Sequence, residues 1–134
     1  MKSCQNPFLI FTTIKNYFIG LSMNYDGKKF KPIVTSNNSV VGENIIFKYD
    51  QENEILTCSY HGGKIRAGHL MGVVDESGKV DMRYHQILDD GSIQTGVCFT
   101  TPEILDDGRI RLHEEWQWTS GDLSKGSSIL EQVD

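Results

Sequence analysis

One seven-residue word, Ile-Leu-Asp-Asp-Gly-x-Ile, occurs twice, at Ile87 to Ile93 and at Ile104 to Ile110, and it limits what this chain can fold into. In each copy an Asp-Gly pair stands between two apolar runs. Glycine supplies the left-handed backbone that closes a tight loop, so each copy predicts a β-hairpin. Further turn signals fall at Asp26-Gly27, Gly62-Gly63, Ser77-Gly78 and Ser120-Gly121. After Gly63 they recur every 13 to 17 residues, the length of one long strand plus its turn. Helical periodicity is absent from this region, apart from one turn near Leu123, so the body is expected to be all-β.

Period-two alternation then assigns faces. Val80, Met82, Tyr84 and Leu88 share one face, with Asp81, Arg83 and His85 opposite. Ile110, Leu112, Trp116 and Trp118 form another apolar row, backed by Arg111, His113, Glu115 and Gln117. Ile45, Phe47 and Tyr49 make a third row. Ile65, Ala67, Met71 and Val73, and the set Ile93, Thr95, Val97 and Phe99, are read the same way. Runs near 28–35, 43–50, 54–61, 64–74, 79–88, 92–101, 109–119 and 126–133 give about eight strands. Sequential, two-faced, antiparallel strands with short turns close most simply into an up-and-down barrel, which also removes exposed edges; an open sandwich is the alternative. Gly68, Gly72, Gly96 and Thr101-Pro102 are expected to supply the bends or bulges that closure needs.

A chain of 134 residues is one domain, with residues 1–22 set apart as an N-terminal arm or helix and 23–134 as the barrel. Phe8, Phe11, Ile14, Phe18 and Leu21 are spaced as a helical face, but Lys15-Asn16 breaks the apolar run well short of the roughly 20 residues a membrane span requires. Met23 as the natural start is the other reading of this arm. A net charge of -5 argues against nucleic acid and anionic membrane surfaces as partners, because both are held through cationic side chains. Three cysteines, Cys4, Cys58 and Cys98, lack both an even count and zinc-ligand spacing, which favours a cytoplasmic setting over a secreted disulfide framework.

Met82-Arg83-Tyr84-His85-Gln86 and the word from Leu112 to Asp122, Leu-His-Glu-Glu-Trp-Gln-Trp-Thr-Ser-Gly-Asp, resemble a family of small bacterial β-proteins often labelled N-acetylglutamate synthase. The resemblance spans about Met23 to Val133, and its general outline is similar to the lipocalin and streptavidin class of barrels. It implies little about function and brings no established active site with it. The synthase label calls for a Gly-rich turn opening a helix to cradle a pyrophosphate. The nearest stretch, Arg66 to Gly72, has other spacing and lies in a strand pattern, so the residues do not support that label.

No motif for a nucleophile elbow, a P-loop or a zincin is present, and His61, His69, His85 and His113 lack metal-ligand spacing; neither a metal nor a cofactor is expected. The informative residues are polar groups on apolar faces. His69 falls between Ala67 and Met71, Glu114 between Leu112 and Trp116, and Tyr84 and Gln86 continue the Met82 row. An inward carboxylate is costly unless paired, hydrogen-bonded or protonated. His69, Tyr84, Gln86, Glu114, Trp116 and Trp118 are therefore the candidate lining of an interior ligand site. Three readings remain: an interior binder, an enzyme using a Glu114–His69 acid-base pair, and an interaction protein with a packed interior. A bulge at Glu114-Glu115 that swings the carboxylate outward would favour the last. A small molecule is the expected partner, with a homodimer open beside it.

Overall fold

The computed structural model describes residues 23–42 and 44–133, so the predicted arm at 1–22 lies outside the described residues. These residues form strands β1 (Lys29–Thr35), β2 (Phe47–Lys48), β3 (Asp50–Glu52), β4 (Ile55–Gly62), β5 (Ile65–Val74), β6 (Val80–Leu88), β7 (Ile93–Ile104), β8 (Ile110–Trp118) and β9 (Lys125–Val133). All pair antiparallel in one nine-stranded sheet of order β2-β1-β9-β8-β7-β6-β5-β4-β3. The two ends of that order, β2 and β3, are joined through Tyr49. They are one course of chain that pairs with β1 on one side and β4 on the other. The sheet thus curls into a nearly closed barrel with about eight staves, the number the alternation predicts. Bulges at Ile129/Leu130, Tyr60/Gly62 and Ile65/Ala67 shift the register where the sheet must bend.

Three hairpins share one turn. Gly78 donates its N–H to the carbonyl of Asp75, Gly91 to Leu88 and Gly108 to Leu105, and in each case the next residue's carbonyl accepts from the residue that opens the loop. This is a three-residue loop, a type I turn completed by a left-handed residue. Gly91 and Gly108 have φ of 85° and 90°. A valine at either site has open space around its Cβ but meets the left-handed backbone penalty. Gly91→Val and Gly108→Val are each expected to cost about 1–2 kcal/mol. Unchanged denaturant midpoints for both variants would refute this turn assignment.

The core runs the length of the barrel. One end is sealed by Tyr25, Phe30 and Tyr49, whose rings meet edge-on or tilted at 5.1–6.2 Å, with the Tyr25 hydroxyl donating to the Gly78 carbonyl. The other end is covered by the 36–46 connection, which carries Ile45 into the core and lays Val40 and Val41 against it.

Two strands face the opposite way from the predicted alternation. In β5 the inward residues are Ile65, Gly68, Leu70, Gly72 and Val74, while Ala67, Met71 and Val73 face solvent. In β7 they are Gly96, Cys98 and Thr100, while Ile93 and Phe99 are exposed. The cause is visible in the packing. The Tyr60 ring lies on Gly68 and the Tyr84 ring on Gly96, each directly across a strand pair, and a Cβ at either glycine would fall within 2.5 Å of the ring. Trp116 lies on Gly126 in the same way. These inward glycines are seats for aromatic rings more than bends of the chain, and they leave the larger apolar residues of the same strands outside.

Candidate functional site

The aromatic rings seated on glycines line a cavity inside the barrel, with about 70 Å³ open to the centres of water molecules. One water needs only about 10–15 Å³ by this measure, so the interior is not a solid core. Phe47, Tyr60, Tyr84, Trp116 and Trp118 supply the aromatic wall, and Leu70, Met82, Cys98 and Leu130 the aliphatic and sulfur surface. Trp116 and Trp118 meet edge-on at 5.6 Å, Tyr84 and Trp118 at 5.7 Å, and Phe47 and Tyr60 pack at 4.8 Å.

Hydrogen bonds hold this wall in place. The Trp116 indole N–H donates to the Ser128 hydroxyl at 3.0 Å. The Tyr60 hydroxyl donates to Gln86 Oε1 at 2.9 Å, and Gln86 Nε2 donates to Gln94 Oε1 at 2.9 Å, so the buried amide is satisfied. The Trp118 indole N–H donates to the Asn38 carbonyl at 3.3 Å. Asn38 in turn donates to Ser124 Oγ and to the Lys125 carbonyl, both at 2.9 Å. This pins the 36–46 connection over the mouth, where its Ser39 and Val41 complete the lining.

Two polar groups at the cavity have no such partners. The Tyr49 hydroxyl is buried and finds no hydrogen-bond partner among the described residues. Glu114 projects inward between Leu112 and Trp116, and desolvation alone pushes its carboxyl up to about 7. An ion pair or a donated hydrogen bond would pull it the other way. Burial chiefly, with the nearby Glu114 charge adding to it, pushes the Tyr49, Tyr60 and Tyr84 phenols up, so they are neutral at physiological pH. Burial likewise raises the Cys98 thiol well above its ordinary range and the Cys58 thiol to about 12, which makes neither a thiolate nucleophile.

Tyr84, Gln86, Glu114, Trp116 and Trp118 therefore meet at one cavity. His69 does not. It pairs with His85 across β5 and β6 on the outer surface, their rings stacked at 5.6 Å. The bulge at Ile65/Ala67 and the inward glycines put His69 out of step with the lumen, so the expected Glu114–His69 pair is not assembled. Among the described residues no three His, Cys, Asp or Glu side chains converge as a metal site. Sequence reasoning missed Tyr49, Tyr60, Phe47 and Ser128 as lining residues. Phe47 and Tyr49 were legible as an inward row, but their place in the cavity lining depends on closure of the barrel.

The avidin-like protein family model matches residues 23–133. The chain belongs to the avidin-like family. A comparison with curated proteins gives no match. The match covers every strand of the barrel. An avidin-like barrel with an open interior is a small-ligand-binding architecture.

Proposed function

We propose that this barrel captures one small organic molecule in its interior, held by the aromatic wall and oriented by Tyr49 and Glu114. The observation that carries the reading is the Tyr49 hydroxyl, a buried donor with no partner among the described residues, at a cavity with room for a guest. Leaving such a group unsatisfied costs about 1–3 kcal/mol, which a ligand acceptor would relieve. Members of the family bind small ligands such as biotin, which makes biotin one natural probe.

Native mass spectrometry of the chain purified from its own host is expected to show a retained small molecule. The same spectrum reports whether a homodimer forms. Tyr49→Phe is expected to lose most of that adduct while remaining folded, since the orphaned hydroxyl stabilises nothing within the protein. The chain's two tryptophans both line the cavity, so their emission follows its occupancy. A bare mass, together with tryptophan emission indifferent to biotin and to a host metabolite extract, would overturn the proposal.

A further inference from the structure

From the composition of the cavity wall we infer that the ligand presents a small organic cation, of the alkylammonium class, to Glu114. This rests on the interior-binding reading above and narrows its chemistry. Among the residues lining the cavity, Glu114 is the one carboxylate, and Lys, Arg and His are absent. An anionic group would enter a site with nothing to neutralise it and a carboxylate to repel it. A neutral apolar guest would leave the carboxylate desolvated and alone. A cation answers both, because it supplies the counter-charge that none of the described lining residues gives Glu114.

The surrounding rings fit the same guest. Tyr60 and Tyr84 are fixed on Gly68 and Gly96, and Trp116 on Gly126, while Trp118 meets both Tyr84 and Trp116 edge-on. Aromatic faces arranged around a cavity attract a cation placed within about 6 Å, tryptophan most strongly, and this is the pattern by which quaternary ammonium groups are recognised. A compact head group also suits an interior with about 70 Å³ open to water centres.

Groups facing Glu114 from the other elements are Tyr49, Tyr60, Tyr84 and Cys98, with Ser128 on β9. Burial keeps these phenols and the thiol neutral, so Glu114 is the cavity group that changes charge between about pH 5.5 and pH 8. Cation capture should therefore strengthen as pH rises across that window.

The test compares choline with its uncharged carbon isostere, 3,3-dimethylbutan-1-ol, on the full chain, read by tryptophan emission and calorimetry. At about pH 8 choline is expected to bind at least tenfold more tightly than the isostere. Its affinity should fall at least tenfold at about pH 5.5, and Glu114→Gln, which keeps the side-chain shape, should erase the preference. Isostere binding as tight as choline's would overturn the cation assignment and leave the interior-binding reading standing. An unchanged choline preference in Glu114→Gln would overturn it equally. Failure of both probes also overturns it. The interior-binding reading falls separately, on a bare native mass and an indifferent emission spectrum.

Discussion

Gly72→Ala is expected to destabilise the barrel by about 3 kcal/mol, more than any other single-methyl addition to its inward glycines. A Cβ at Gly72 would stand 2.8 Å from Met82 Cβ, 2.8 Å from Val80 Cγ1 and 2.9 Å from the Asp81 carbonyl oxygen. Two of these atoms are on or next to the backbone of β6, the strand paired with Gly72, and Val80 is fully buried. Nothing at the end of a flexible side chain can swing away, so the strands themselves must part. Gly126→Ala makes a useful contrast. Its added methyl would meet only the far edge of the Trp116 ring, which can tip into the cavity, so a smaller loss of about 1–2 kcal/mol is expected, with altered tryptophan emission. Gly42→Ala has open space and serves as the control. Denaturant unfolding of the three variants checks the order. A Gly72→Ala midpoint equal to that of Gly42→Ala would show that β5 and β6 are not packed this closely.

Glu114→Gln is expected to stabilise the protein at about pH 8 and to leave it unchanged near pH 4.5. The carboxyl is pushed from 4.5 to about 7 by burial, so the folded state holds this proton more tightly than the unfolded chain does. Stability from this group is whole below about pH 4.5, declines as pH rises through about 7, and is flat above that. The full span corresponds to roughly 3 kcal/mol, which the glutamine variant should recover at high pH by removing the charge. The surface carboxylates Asp75, Asp90, Asp107, Asp122 and Glu131 act oppositely. Hydrogen bonds from Ser77, Ser92, Arg109, Ser124 and Arg111 hold them below their ordinary range, so their contribution is lost only as pH falls further. Chemical denaturation of both proteins between about pH 4.5 and pH 8 reads the difference directly. A stability gap independent of pH would mean that Glu114 is solvated in the folded state.

The outer surface behaves as charge alternation suggests. Arg83 pairs with Asp81 at 2.6 Å, and Arg111 and Arg109 share Glu131 at 2.6 and 3.3 Å. The exposed Arg83–Asp81 pair contributes little to stability.

Local information in the sequence sufficed wherever one strand's own residues carried the contrast. The doubled Asp-Asp-Gly word set two hairpins, because positive φ is a property of a single glycine. The row Leu112, Glu114, Trp116, Trp118 was legible because period two holds along an unbroken strand, and Glu114 lines the cavity. Strand number and antiparallel order followed from turn spacing together with period-two alternation. What only the tertiary structure decided is where glycine counts as an inward residue. Hydrophobic contrast places the larger apolar side chains inside, yet on β5 and β7 the inside belongs to Gly68, Gly72 and Gly96, because rings and side chains from the neighbouring strands fill their space. That inversion put Phe99 and Met71 outside, carried His69 away from the cavity and left Glu114 without the partner its spacing suggested. Closure through Tyr49 then set an unpartnered hydroxyl at the same cavity from a distant part of the chain, a juxtaposition that no local pattern encodes.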